Sequence, residues 1–246
     1  ANLNPGKAIV GDESYGVPAV PMLGTSDLSR AAVGGIVGVA LDGAMIYSAY
    51  AGSVALEGYT TSANYLEGDT FDQCGGHSSS AESSSYHYHV APSCLLAQLD
   101  DLSDGHSPQI GWANDGFPIY GPLGPGGTVI THTAQGCTGS YCLDACSGLE
   151  MELQGVDIFK YRYYMTGATS DLSSLPVDPK PAAADVPFTI ECYRGYTLDE
   201  LEGGATGTTG VADGYVAAAT AGVTAVYTSP TATGLCSGDS APSPSP

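Results

Sequence analysis

Residues 36–50, Ile36-Val37-Gly38-Val39-Ala40-Leu41-Asp42-Gly43-Ala44-Met45-Ile46-Tyr47-Ser48-Ala49-Tyr50, read as two apolar strands folded around an Asp42-Gly43 turn. Asp-Gly between such runs is a strong hairpin signal, because the tight turn needs positive φ. Upstream, Tyr15 to Met22 predicts an extended edge strand, since its two prolines offer no ladder donor. Downstream, residues 75–85 form a Gly/Ser loop and Tyr86 to Val90 a short strand. Ser93 to Leu102 is the best helix candidate, with Leu95, Leu96, Leu99 and Leu102 at helical spacing. Glycine and proline punctuate the chain from Gly105 to Gly136, and Phe159 to Met165 and Phe188 to Tyr193 read as further strands. Gly214 to Thr228, β-branched and with two tyrosines, adds one or two more. The expectation is a mainly β, disulfide-stapled, β-sandwich-like domain with long loops and few short helices.

Charge narrows the partners. With 26 acidic residues against 6 basic, the net charge of −20 repels nucleic acid and anionic lipid and favours cations. No apolar run is long enough to span a bilayer; the stretch from Ala31 to Leu41 is short and broken by glycines. Residue 1 is Ala and no export signal precedes the domain, which fits a mature secreted chain, extracellular or at the cell surface.

Seven cysteines in Gly/Ser-rich contexts, without any CxxC pair, read as oxidised. An internal repeat suggests their partners. Phe71-Asp72-Gln73-Cys74-Gly75-Gly76-His77 aligns with Leu143-Asp144-Ala145-Cys146-Ser147-Gly148-Leu149, and Tyr86-His87-Tyr88-His89-Val90 with Tyr161-Arg162-Tyr163-Tyr164-Met165. A cysteine follows each tyrosine strand, so Cys74 is expected to pair with Cys94 and Cys146 with Cys192. A small Cys137–Cys142 loop is the simplest remaining pair, leaving Cys236 free or joined to another chain.

Four of the five histidines, His77, His87, His89 and His106, lie close together in the sequence. His87 and His89 are two apart on a strand, so both rings leave one face while Tyr86 and Tyr88 point the other way. Neutral imidazoles converging from a strand and a loop suit copper or zinc, with His77, His87, His89, His106 and Asp115 as candidate ligands. Calcium is the weaker candidate: Asp100-Asp101-Leu102-Ser103-Asp104-Gly105 fails the EF-hand pattern at Leu102 and again at Gly111. The alternative is a set of core histidines hydrogen-bonded to loops and to one another. A general-base role for His87 or His89 is a third reading, but no nucleophile elbow accompanies it, and no catalytic residue is assigned.

Cys74-Gly75-Gly76-His77, Tyr86-His87-Tyr88-His89 and the run from His106 to Gly121, with its Asp115-Gly116-Phe117-Pro118-Ile119-Tyr120-Gly121 end, resemble the YHYH-domain family. The resemblance implies a secreted protein with a metal-binding site, and it runs from near Tyr15 to near Gly195. The expected organisation is an N-terminal extension over 1–14 and a YHYH-like domain over 15–195, the latter built from two related units near 36–102 and 137–195. A C-terminal extension over 196–246 ends in a Ser/Pro tail. No Asn-x-Ser/Thr sequon is present; O-linked glycan on the tail is the expected modification.

Nothing in the chain completes a catalytic set, so a structural role leads: an extracellular subunit assembling with copies of itself into filaments through its N- or C-terminal extension. The alternatives are a secreted copper- or zinc-dependent enzyme and a surface module that binds cations or glycans.

Overall fold

The structure, a computed structural model, describes residues 14–24, 35–50, 63, 67–78, 86–101, 103–133, 136–151, 160–166, 189–198 and 200, and the backbone of 225–228. It is mainly β, and its centre is one mixed sheet of eight strands. In chain order the strands are β1 Ser14–Val17, β2 Ile36–Ala40, β3 Met45–Tyr47, β4 Gly76–Ser78, β5 Tyr86–Tyr88, β6 Gln109–Ala113 and β7 Pro118–Tyr120. They continue as β8 Leu123–Gly124, β9 Thr128–Val129, β10 Thr131–His132, β11 Cys142–Leu143, β12 Gly148–Glu150, β13 Tyr161–Tyr164 and β14 Ala225–Thr228. The large sheet runs β12-β13-β7-β6-β2-β3-β5-β4; β8–β9, β10–β11 and β1–β14 form separate two-stranded pairs.

The expected hairpin is present: β2 and β3 pair antiparallel, Val39 opposite Met45, with Gly43 at φ 88° in the turn. Helix is scarcer than the leucine spacing suggests, since α1 covers only Ser93–Leu96. Its Leu95 is buried in the core and Leu96 and Leu99 pack against that core, while Leu102 lies outside the described residues. The stretch 189–193 is buried but irregular rather than a strand. Cys192 is bonded to Cys146 there, and the following Arg194 amide donates to the Tyr163 hydroxyl instead of a ladder carbonyl. Of the C-terminal strand signals, β14 forms and pairs antiparallel with β1 of the same chain.

The strand order is palindromic. Matching β2, β3, β4 and β5 with β6, β7, β12 and β13 makes it read the same from either end. The seam between the halves is the antiparallel pair β2–β6, in which Val39 faces Trp112, Gly38 faces Ala113 and Ala40 faces Gly111. That register maps onto itself when the halves are exchanged. Within each half one connection is parallel: β3 with β5, Ile46 opposite Tyr88, and β7 with β13, Ile119 opposite Tyr163. The core repeats the pairing, since Val37, Ile110, Ile46, Ile119 and Tyr163 are fully buried and Tyr88 nearly so within one cluster. The underlying sequence signal is Gly38-Val39-Ala40-Leu41-Asp42-Gly43 against Gly111-Trp112-Ala113-Asn114-Asp115-Gly116.

Three disulfides close the chain: Cys74–Cys94, Cys137–Cys142 and Cys146–Cys192, the same pairs that the aligned repeats and the short spacing suggested. Cys236 lies outside the described residues. No helix among the described residues is long and apolar enough to cross a membrane.

The seam is too tight for side chains at its two glycines. A Cβ on Gly38 would stand 2.5 Å from the Trp112 carbonyl oxygen, and one on Gly111 2.4 Å from that of Val39. Both obstacles are backbone, so the strands themselves must separate. Gly38→Ala and Gly111→Ala are each expected to lose on the order of 1–3 kcal/mol, the usual cost of overpacking a core. Urea unfolding of each variant checks this, and an unchanged midpoint would refute it.

Candidate metal centre

Four side chains meet at the outer end of the first half: Glu67, His77, His87 and His89, one ligand atom from each lying within 4.8 Å of the others. The ladder places three of them. Strands β4 and β5 pair with His77 directly opposite His87, so both rings stand on one face with centroids 4.5 Å apart. His89, two residues beyond His87, returns to the same face at 4.9 Å. Glu67 comes from just before the 3-10 turn Gly68–Thr70. The imidazoles are 1–3 % exposed, whereas the Glu67 side chain is 31 % exposed and forms the solvent side of the site.

Carboxylates on the opposite face fix these strands. Asp72 Oδ1 accepts the Cys74 and Gly76 amides at 2.8 and 3.4 Å, and the Tyr86 hydroxyl bonds both Asp72 oxygens at 2.9 Å. Tyr88 donates to Asp42 Oδ2 at 2.8 Å. Burial, and then the neighbouring carboxylates, push both tyrosine hydroxyls up, so both remain donors. With Tyr86 and Tyr88 held there, the alternation of the strand sends His87 and His89 to the site.

Hydrogen bonding sets the imidazole tautomers. Thr70 Oγ1 lies 2.6 Å from the Glu67 carbonyl, which can only accept, so the single hydroxyl proton is spent there. Toward His77 Nδ1, 2.7 Å away, Thr70 must therefore accept. His89 Nδ1 lies 2.7 Å from the Ser48 carbonyl and also donates. In the neutral rings both Nε2 atoms are then bare lone pairs, and both face Glu67 Oε2, at 3.2 and 3.4 Å. Lone pairs facing a carboxylate oxygen repel unless positive charge stands between them: a proton on each ring, or one metal ion. His77 Nε2 is buried without a hydrogen bond of good geometry. Burial raises the Glu67 carboxyl, and only hydrogen bonds and charge from protonated His77 and His89 rings outweigh it, holding it at about 2.

Glu67 Oε2 stands 3.2 and 3.4 Å from the two Nε2 atoms, close to donor spacing around an ion, while the four ligand atoms together spread to 4.8 Å. Metal–ligand bonds of about 2.0–2.2 Å in a tetrahedron put neighbouring donors about 3.3–3.6 Å apart. Three nitrogens and one carboxylate match zinc or copper and leave calcium, which takes oxygen ligands, poorly served. Aromatic walls enclose the rings: Tyr47 stacks on His87 at 4.0 Å, and Phe71 lies parallel to His89 at 5.9 Å.

A model of the YHYH protein family matches residues 14–219. The chain belongs to that family. The match continues past Gly195, where the resemblance was expected to end. Comparison with curated proteins and with solved structures gave no match.

Of the five candidate ligands, the structure brings His77, His87 and His89 together and places His106 and Asp115 in the other half. His106 Nδ1 donates to its neighbour's carbonyl on Ser107, and its Nε2 lies 2.8 Å from the Tyr164 hydroxyl. Asp115 is the counterpart of Asp42: its Oδ2 accepts the Tyr163 hydroxyl at 2.6 Å and the Gly195 amide at 2.9 Å. Burial raises the Asp115 carboxyl to about 6, against the lowering effect of those donors and of the Phe117 amide. Glu67 was missed because no spacing links it to the histidines; its one local sign was Thr70, three residues on.

Thr70 orients the His77 ring through its hydroxyl. Thr70→Val is expected to weaken metal binding about 10–100-fold, the usual cost of removing such a partner. Competition against a chromophoric chelator measures this, with Thr70→Ser expected to restore affinity.

Proposed function

We propose that this YHYH protein is an extracellular structural protein whose first half is locked by one divalent transition metal ion, zinc or copper, held by Glu67, His77, His87 and His89. The observation that carries the reading is the convergence of the His77 and His89 Nε2 atoms on one Glu67 oxygen, at 3.2 and 3.4 Å. Four protein donors would fill the coordination of such an ion, as in closed structural sites, whereas a catalytic zinc keeps a position open for water. The ion would tie the 67–78 loop to β5, clamping the outer strands of the sheet. Three disulfides support an oxidising, extracellular setting.

Native protein is expected to carry about one zinc or copper ion per chain, and chelation to lower Tm. The Glu67 carboxyl, held at about 2, stays ionised throughout the mildly acidic range. Metal loss on acidification is therefore expected through proton competition at the nitrogen ligands, with the ion retained at neutral pH and released as the solution is acidified. Elemental analysis and melting curves across that range check this. Protein that binds no transition metal and melts alike with and without chelator would reject the reading.

Assembly into filaments through the terminal extensions is a second part of the proposal; within one chain β14 pairs with β1. A terminal strand that completes a two-stranded ribbon within one chain can complete the same ribbon in a neighbour. Light scattering across a range of concentrations is expected to show growing mass, abolished by deleting residues 225–246. A constant monomer mass would remove this part and leave the metal site standing.

A further inference from the structure

The second half of the sheet repeats the metal-bearing half almost bond for bond. Asp144 Oδ1 accepts the Cys146 and Gly148 amides at 2.9 and 3.1 Å, and the Tyr161 hydroxyl bonds its two oxygens at 3.1 and 3.0 Å. These are the bonds of Asp72 with Cys74, Gly76 and Tyr86. Ser147 even adopts the left-handed conformation of Gly75, φ 67° against 88°. The ladder register is identical: Gly76, His77 and Ser78 face Tyr88, His87 and Tyr86, and Gly148, Leu149 and Glu150 face Tyr163, Arg162 and Tyr161. Leu149, Arg162 and Tyr164 thus hold the backbone positions of His77, His87 and His89.

Arg162 occupies that cradle fully buried. Its guanidinium lies over the Tyr120 ring, 5.5 Å from the centroid, and donates to the Met151 carbonyl. Tyr120 is the counterpart of Tyr47, which stacks on His87. A guanidinium is charged at every accessible pH, and burying it costs several kcal/mol that its surroundings must offset. A carbonyl oxygen and an aromatic face are groups that stabilise a cation. The positions of Glu67 and Thr70 correspond, by offset from the aspartate, to Gly139 and Cys142, so the carboxylate arm is replaced by the Cys137–Cys142 loop.

We propose that Arg162 is a resident cation standing where the first half takes its metal, and that it fills a latent second site for an imidazole-binding divalent ion. The inference rests on the metal reading of the first half. Each half then needs one positive charge at its outer strand pair; one half recruits it from solution and the other carries it on the chain.

The test is to convert the cradle in full-length protein with Leu149→His, Arg162→His and Tyr164→His, and to count zinc bound after equilibrium dialysis. The expected ratio rises from one ion per chain in the parent to two. Should the triple variant fail to fold, the cross-strand pair Leu149→His with Arg162→His, in a His77→Ala/His87→Ala background, replaces it. Zinc is then expected to raise its Tm, whereas the background alone shows no rise. A folded triple variant that stays at one ion overturns the inference while the first site stands, as does a flat response from the pair. A parent that binds no ion overturns the metal reading itself, and the inference with it.

Discussion

One carboxylate in each half holds the turn before the outer strand pair. Asp72 and Asp144 each gather two turn amides and a tyrosine hydroxyl from the facing strand. Charge-assisted bonds of this kind are stronger than neutral ones, and three converging on one oxygen pair fix both turn shape and strand register. Since side chains alternate along a strand, fixing the tyrosines on one face decides what the other face presents. The first half presents three imidazoles; the second presents leucine, arginine and tyrosine.

Much of this was legible in the sequence because it is encoded locally. The Asp42-Gly43 hairpin, the tyrosine-rich strands and the aligned cysteines depend on neighbours within a few residues, and each appears in the structure. The order of the eight strands was not legible, because it depends on the β2–β6 seam, where glycine admits close backbone approach across distant parts of the chain. The Gly-x-Ala-x-Asp-Gly repeat was the available signal. The helix after Ser93 is shorter than its leucines suggest, since Leu95, Leu96 and Leu99 need only about one turn to reach the core.

The site shows the same division. Three histidines could be grouped from strand alternation and the internal repeat, but proximity in sequence also drew in His106, which belongs with Tyr164 in the other half. Asp115 looked like a ligand because it is a carboxylate near histidines; the fold uses it to anchor Tyr163 and the Gly195 amide. Glu67 escaped because its place is defined in space, by a short turn that carries both the carboxylate and the Thr70 hydroxyl to His77.

The four clustered side chains all fall between residues 67 and 89, and the Cys74–Cys94 bridge spans only 20 residues. Closing so short a loop costs little chain entropy. The equivalent region of the other half is bridged over 46 residues by Cys146–Cys192 and needs more of the chain in place. The two ends of the sheet are therefore stitched with unequal reach, one to its own neighbourhood and the other to a segment far along the polypeptide.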